Sequence, residues 1–281
     1  DPIAGSSILP RFLYTNRICI KPWLERTALI SYDRARGRNP IRPGKRGIKM
    51  CTRFVHNGHD MITGFNFEID LALYTHKVIA EPDLFAIGIL RPDGRWHTYH
   101  GVNRSGNAGT LLYVHENPAG AYRDDPACVT IADLTEHFLQ GQLSLDDVLR
   151  LAQSRPVVYA PDATMQALLS DASGRALILE PGIGFRLEQA PFSLITNYSV
   201  LAPESTRPYL VPGDVRYEQA QSLLSSCTAD FSTADALSIL QSVCQKGLWG
   251  TRVSFVYSRD QNTVFWTENN QFDQIRCHRF S

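Results

Sequence analysis

The stretch GIKMCTRFVHNGHDMITGFNFEID, residues 47–70, places a cysteine directly after a methionine and continues with the pattern of a β-hairpin. The segment CTRFVH favours a strand, NGHD carries the Asn-Gly signal of a tight turn, and MITGFNFEI resumes extended character. A short hairpin folds its second strand back along its first. We therefore expect residues near Asn66 and Glu68 to approach Cys51 in the folded protein.

Cys51 becomes the first residue of the chain if translation starts at Met50, because an initiating Met is removed before a small side chain. A thiol must lose its proton before it attacks a carbonyl carbon. An α-amine has a pKa of about 8 and is matched to that task at neutral pH. Cys51 would then provide both the nucleophile and its base, whereas an inert core cysteine is the alternative for a cysteine at this position.

Residues 1–50 show neither an amphipathic period nor the apolar centre of a secretory signal. We interpret them as an untranslated leader, because KRGIKM back-translates to a purine-rich run just before a start codon, as in a bacterial ribosome-binding site. A propeptide that is removed to expose Cys51 is one alternative, and a basic tail for nucleic acid or lipid is another. The prediction is that residues 51–281 form a single domain and that residues 1–50 are not part of the fold.

The balanced charge of the whole chain hides an asymmetry. Subtracting the 11 basic and 3 acidic residues of positions 1–50 from the 28 of each kind leaves 17 basic and 25 acidic residues, a net charge of −8. An acidic body of this kind is unsuited to binding nucleic acid. No apolar run reaches about 18 residues, so we expect no membrane span and no membrane partner.

The six cysteines are too few for a disulfide scaffold and lack metal-binding spacing. We expect most of them to be reduced and buried, as in a cytoplasmic protein. The eight histidines form no helical His-x-x-x-His pair, and neither a phosphate-binding loop nor a dinucleotide fingerprint occurs. The sequence therefore predicts no metal and no organic cofactor.

A series of short motifs runs through residues 50–281, and two of them lie close to Met50. The first is Met-Cys-Thr, and the second is GFNFE, residues 64–68. In their order, the motifs of the series resemble those of the choloylglycine hydrolase family, the cysteine branch of the N-terminal nucleophile hydrolases, which includes penicillin V acylases and conjugated bile acid hydrolases. The resemblance makes Cys51 the nucleophile.

Within the second motif the chain departs from the family pattern Gly-x-Asn-x-Asp. The family Asp, which helps to hold the nucleophile, falls on Glu68, and Asp70 is the alternative because it lies on the same strand face. An Arg that is common in bile acid hydrolases is replaced by Phe65. Arg53 is a candidate substitute, since a period of two places it on the same face as Cys51.

Three further motifs carry the other site residues that the resemblance implies. In GVNRSGNAGTLLYVH, residues 101–115, Tyr113 occupies the oxyanion-hole position; in LITNYSV, residues 194–200, Asn197 is its partner. In GDVRYEQA, residues 213–220, Arg216 matches an Arg at a helix start, where a fixed guanidinium lowers the pKa of a thiol. From the residues alone, a packed strand Tyr, a turn Asn and a solvated Arg are the alternatives.

The remaining pattern alternates between strands and helices. Helical stretches occur within residues 130–154 and 214–246, with SLDD as the N-cap of one of them, while SDASGR and RDQN mark hairpins between apolar strands. Periodicity alone predicts mixed α and β structure. The resemblance implies an α+β fold, a four-layer αββα sandwich of two antiparallel sheets flanked by helices.

The resemblance also implies an amidohydrolase that cleaves linear amide C–N bonds of small molecules. It implies a cytoplasmic, bacterial enzyme that forms a homotetramer and needs no cofactor. Candidate substrates are N-acyl amino acids, acyl homoserine lactones, penicillin V and bile conjugates, and Tyr113 favours the penicillin V acylase type. An acyltransferase of the same fold and a non-catalytic small-molecule-binding relative are the alternatives.

Overall fold

The computed structural model describes residues 51–281, all of which lie within one compact unit. The interpretation of residues 1–50 as a leader lies outside the described residues. In chain order, the strands are β1 (Thr52–Asn57), β2 (Met61–Glu68), β3 (Thr75–Glu81), β4 (Leu84–Leu90), β5 (Trp96–Asn103), β6 (Ala108–Tyr113), β7 (Val129–Thr130), β8 (Val157–Val158), β9 (Met165–Ser170), β10 (Ala176–Glu180), β11 (Gly184–Glu188), β12 (Phe192–Ile195), β13 (Thr251–Ser258), β14 (Thr263–Glu268) and β15 (Arg276–Arg279). The α-helices are α1 (Ile131–Leu139), α2 (Leu145–Ser154), α3 (Pro203–Thr206), α4 (Arg216–Ser226) and α5 (Thr233–Ser242).

The hairpin predicted at the start of the domain is confirmed. Strands β1 and β2 pair antiparallel, with Thr52 opposite Asn66 and Asn57 opposite Met61. They lie inside a six-stranded sheet of order β12-β1-β2-β13-β14-β15. Because both strands are covered on both faces, every residue of β2 is buried, and so is every residue of β1 except the last. Cys51 therefore immediately precedes an interior strand.

The second large sheet has seven strands in the order β11-β10-β9-β6-β5-β4-β3, and all of its pairs are antiparallel. It faces the first sheet: the rings of Phe85 in β4 and Phe255 in β13 meet edge to face at 5.6 Å, and Arg53 of β1 donates to the Ser170 hydroxyl of β9 at 3.1 Å. The two sheets therefore enclose a common core.

Helices cover the outer faces of both sheets. Helices α4 and α5 pack on the first sheet through an apolar cluster that includes Phe54, Ile62, Leu224, Ile239 and Val256. Helix α1 packs against β5, β6 and β9 of the second sheet. The α+β class and the four-layer αββα arrangement expected from the sequence are thus confirmed.

Two of the helices begin with capping boxes. Ser144 caps α2 together with Asp147, as the SLDD pattern predicts, and Ser232 caps α5 together with Asp235. Helix α4 lacks such a side-chain cap at its preceding residue. Its first residue, Arg216, is held instead by Asp214, whose carboxylate accepts a hydrogen bond from the Arg216 backbone nitrogen at 3.3 Å.

The expectation that most cysteines are buried is wrong for the five that the structure describes. None of them forms a disulfide within residues 51–281, and Cys51 is buried. The others are partly or fully exposed, because they lie in a loop, at helix ends and on the edge strand β15: Cys128, Cys227, Cys244 and Cys277.

No helix between residues 51 and 281 has both the length and the apolar character needed to cross a membrane.

Candidate active site

Cys51 lies at the point where β12 and β1 run side by side. It is 5% exposed, and its backbone nitrogen donates a hydrogen bond to the Asn197 side-chain oxygen at 2.5 Å. Asn197 follows β12, and the register that sets Arg53 opposite Ile195 brings it to Cys51 across 146 residues of sequence. The Cys51 Sγ lies 3.9 Å from the Glu68 carbonyl oxygen at the end of β2.

The Asn197 amide group also reaches the second sheet. Its Nδ2 donates to the carbonyl oxygen of Tyr113, the last residue of β6, at 2.7 Å. Burial raises the pKa of the Tyr113 phenol above its ordinary value, although a hydrogen bond with Thr164 opposes this effect. The structure therefore brings three of the residues predicted from sequence, Cys51, Tyr113 and Asn197, to one place.

Gln166 of β9 holds the backbone on both sides of Asn197. Its Nε2 donates to the Thr196 carbonyl at 2.7 Å and to the Tyr198 carbonyl at 3.2 Å, and its side chain is fully buried. A buried carbonyl without a hydrogen-bond donor destabilises the folded protein. The two hydrogen bonds from the Gln166 amide therefore hold the loop in one conformation. Gln166 thereby orients Asn197 without contacting Cys51.

Glu180, at the end of β10, fixes the next part of the same loop. Its Oε1 accepts hydrogen bonds from the backbone nitrogens of Val200, at 2.9 Å, and Leu201, at 3.1 Å. The Ser199 hydroxyl donates to its Oε2. Two buried side chains from the second sheet therefore determine where the Asn197 loop lies against the first.

Arg216 packs against the main chain of Cys51. Its Nη1 donates to the Cys51 carbonyl at 3.2 Å and to the Glu68 Oε2 at 3.4 Å. Both side chains are almost fully buried, and Thr251 of β13 donates to the other Glu68 oxygen at 2.7 Å. The guanidinium of Arg216 lies at the site because α4 begins there.

Asp214 and Tyr198 hold the other side of this guanidinium. Asp214 accepts from the Arg216 Nε at 2.9 Å and from its Nη2 at 3.0 Å, a bidentate pair. The Tyr198 hydroxyl donates to Asp214 at 3.1 Å. Although burial disfavours the charged carboxylate, Arg216 outweighs it and holds the pKa of Asp214 below its ordinary value.

The pKa of the Glu68 carboxyl is shifted in the opposite direction from that of Asp214. Burial raises its pKa from an ordinary value of 4.5 to about 8, against the opposing effects of Arg216 and Thr251. Asp214 contributes to the rise through like-charge repulsion. Of the two carboxyls beside Arg216, Asp214 is thus the ionised one at neutral pH, and Glu68 retains its proton.

Stability is expected to fall as the pH rises from 4.5 to about 8, because of Glu68. In that window the unfolded chain releases the Glu68 proton while the folded protein keeps it, which favours unfolding. Below pH 4.5 both states hold the proton, and above about 8 both release it. Urea unfolding at several pH values, compared with Glu68→Gln, checks this: the variant should show a flatter pH dependence, and equal slopes would contradict it.

Gln166→Met is expected to lower stability by about 1–3 kcal/mol, because one buried carbonyl and one partly buried carbonyl lose their donor. It should also loosen the fixed orientation of Asn197, because Gln166 holds the backbone on both sides of it. Thermal unfolding measures the loss of stability. Gln189→Met is the matched control: this exposed Gln donates to the Ser173 carbonyl at 3.0 Å, so its loss should change stability by less than about 0.5 kcal/mol.

Several residues considered from the sequence lie elsewhere. The Asp70 carboxylate accepts from the Ala72 nitrogen in a turn, so of the two alternatives it is Glu68 that contacts Arg216. Phe65 stacks on His100 in the core at 5.3 Å. The guanidinium of Arg53 bonds to Thr63, Ser170 and the Phe54 carbonyl, none of which is a site residue.

Sequence reasoning missed four residues that hold the site: Gln166, Glu180, Asp214 and Thr251. Asp214 had a usable signal, because an Asp two positions before a helix-starting Arg can accept its backbone hydrogen bond. The other three are polar residues in or at the ends of apolar strands. The residues next to them in the sequence do not identify their hydrogen-bond partners.

Cys51 opens into a cavity of about 60 Å³ between the sheets, which Tyr113 and Ala163 share with a larger cleft of about 560 Å³. A third cleft, of about 340 Å³, shares Arg91 with the cavity. Among residues 51–281, no His, Cys, Asp and Glu side chains are grouped as a metal site would require. The arrangement offers a buried thiol, hydrogen-bond donors beside it and a small cavity in front of it that shares lining residues with two larger clefts.

The fold has known counterparts. No protein-family model matches the sequence, and no curated protein sequence matches it significantly. A penicillin V acylase from Agrobacterium tumefaciens matches in structure with a TM-score of 0.55 at 17% identity, over 78% of this chain and 83% of that one. A conjugated bile acid hydrolase variant from Clostridium perfringens matches with a TM-score of 0.58 at 12% identity, over 82% of this chain and 92% of that one. The chain therefore shares the fold of these two proteins, in agreement with the αββα sandwich expected from its motifs.

Proposed function

We propose that the protein hydrolyses linear amide bonds of small molecules with Cys51 as the nucleophile. The observation that carries this proposal is the hydrogen bond from the Cys51 nitrogen to Asn197, beside a thiol that opens into a cavity. The fold shared with a penicillin V acylase and a conjugated bile acid hydrolase supports the same reaction class. Within that class, Tyr113 favours the penicillin V acylase type.

In the proposed reaction, the α-amine of Cys51 takes the thiol proton and Sγ attacks the amide carbonyl carbon. The oxyanion is held by the second N–H of Asn197 Nδ2 and by Tyr113; one such donor contributes about 3 kcal/mol. The C–N bond then breaks, and the leaving amine takes the proton from the α-ammonium group. Water attacks the thioester carbonyl carbon and gives a proton to the α-amine. The C–S bond then breaks, the acid leaves, and the α-ammonium group returns its proton to Sγ.

Arg216 supports this chemistry through its charge. A guanidinium is ionised at every physiological pH, and this one lies 3.2 Å from the Cys51 carbonyl. A nearby positive charge favours the thiolate over the thiol and the neutral amine over the ammonium. Because Glu68 retains its proton up to a pH of about 8, Asp214 is the one ionised carboxylate paired with this charge among the described residues.

The reaction requires a free amine on Cys51, so we propose that residues 1–50 are absent from the active protein. The Cys51 nitrogen is buried against an oxygen acceptor, which suits an amine that cycles between neutral and protonated forms. Intact mass of the active protein tests this. A mass that includes residues ahead of Cys51 in a preparation that turns over amides would refute it.

A panel of amides, followed by acid quenching and peptide mass analysis, tests the function itself. The panel comprises penicillin V, N-acyl amino acids with an apolar or a succinyl acyl group, an acyl homoserine lactone and a bile conjugate. We expect at least one acid product and an acyl adduct on the Cys51 peptide. Transfer of the acyl group to an added amine in place of water would support the acyltransferase alternative. An unreactive Cys51 with no turnover would support a binding protein.

A further inference from the structure

The cavity in front of Cys51 has mostly apolar walls. Its apolar side chains include Phe67, Ile69, Ile89, Leu111 and Met165. Among the described residues that line the cavity, Arg91 is the one cation. Glu68, the one carboxyl among them, is turned towards Arg216 and Thr251. A buried cation in an apolar wall is costly unless something pairs with it, so its contacts indicate what the cavity holds.

Arg91 is only partly satisfied by the protein. Its side chain is 8% exposed, and one Nη donates to Asp162, a residue that lines the two outer clefts and not the Cys51 cavity. The guanidinium also lies 5.9 Å from the Tyr99 ring. Within residues 51–281, its remaining nitrogens have no other hydrogen-bond partner. A guanidinium has five N–H donors in a planar fork, so Arg91 keeps donors available at the cavity wall.

His100 adds a second donor to the same wall. Its Nδ1 accepts from the Leu111 backbone nitrogen at 3.2 Å, which leaves the proton on Nε2. Burial, with a contribution from the charge of Arg91, lowers its pKa to about 3, so the ring is neutral at physiological pH. The ring is fixed between Phe65, at 5.3 Å, and Phe67, at 5.1 Å.

We infer, on the basis of the function proposed above, that the acyl group of the substrate is short and ends in a carboxylate that Arg91 and His100 bind. After the thiol attacks, the acyl group is bonded to Sγ and occupies the small cavity, while the amine departs through the larger cleft. A volume of about 60 Å³ has room for about four to six waters at roughly 10–15 Å³ each. That space suits a chain such as the CH₂CH₂COO⁻ of a succinyl group.

The test compares two p-nitroanilides of equal size and shape. N-succinyl p-nitroanilide ends in a carboxylate, and N-(4-methylpentanoyl) p-nitroanilide ends in an isosteric pair of methyl groups. We expect the protein to favour the succinyl compound in kcat/KM by about tenfold or more, and Arg91→Met to remove most of that preference. Equal preference in the two proteins would overturn the inference.

Asp162→Asn is the matched control, because it breaks the same ion pair while leaving the charge of Arg91 in place. It should keep the preference for the succinyl compound. If both variants lose the preference equally, the ion pair supports the wall and Arg91 does not bind the substrate, which would also overturn the inference. Thermal unfolding of both variants shows whether they fold.

Alkylation of Cys51 provides a readout that needs no amide turnover. We expect the rate ratio of iodoacetate to iodoacetamide at Cys51 to fall at least about fivefold in Arg91→Met. The ratio at the exposed Cys277, measured in the same digest, should not change. An Arg91-dependent ratio without hydrolysis of any amide would refute the proposed function and keep the anion site. If an amide is hydrolysed but neither the substrate preference nor the alkylation ratio depends on Arg91, the anion site is refuted and the proposed function is kept.

Discussion

Cys51→Ala is expected to abolish amide hydrolysis, with kcat falling by roughly 10⁴-fold or more. The thioester cannot form without Sγ, and no other described cysteine is buried at the site. Residual turnover would come from the oxyanion donors alone. Steady-state kinetics on the best amide of the panel, with a limit set by the uncatalysed rate, measure the loss.

Cys51→Ser separates the nucleophile from the rest of the site. The hydroxyl has nearly the same shape as a thiol but a much higher pKa, so the α-amine removes its proton less readily in a site built around a thiol. We expect Cys51→Ser to retain the fold and to remain largely inactive. Cys277→Ala, at an exposed cysteine, serves as the unaffected control. Full activity of Cys51→Ala would contradict a covalent mechanism at this residue.

Arg216→Met is expected to cost about 3–5 kcal/mol of unfolding free energy. The reason is Asp214, whose side chain is 3% exposed and which would keep a buried negative charge without its bidentate partner. Activity should fall with stability, because the charge beside Cys51 is lost as well. Urea unfolding and the alkylation rate of Cys51 measure the two effects separately.

A second substitution tests this explanation. Asp214→Asn in the Arg216→Met background should recover part of the lost stability, since it removes the stranded charge, but it should not restore thiol reactivity. Arg186→Met is the surface control: its side chain is 48% exposed, so breaking its pair with Glu188 should cost at most about 1 kcal/mol. Equal losses at the two arginines would show that burial does not determine the cost.

The sequence was most informative where the signal is local. The Asn-Gly turn and the strands on either side of it predict the β1–β2 hairpin, and the hairpin brings Glu68 to Cys51. The N-cap of α2 follows in the same way from Ser144 and the acidic residues after it. In each case the residues that determine the structure lie within a few positions of one another.

The pattern of a single segment could not identify interaction partners that lie far apart in the sequence. Only the order of motifs linked Asn197 and Arg216 to Cys51, because strand pairing across more than a hundred residues leaves no local trace. Gln166 and Glu180 could not be found at all. Each is one polar residue in or at the end of an apolar strand, and its role depends on a loop that another part of the chain supplies.

The bond between Thr251 and Glu68 joins positions 183 residues apart, and that between Cys51 and Asn197 joins positions 146 apart. Contacts of such separation close late in folding, because the chain entropy of a long loop must be lost first. A chain still emerging from the ribosome has its thiol long before it has Asn197 and Thr251. The mechanism proposed for Cys51 therefore predicts that the thiol becomes reactive only when synthesis is nearly complete.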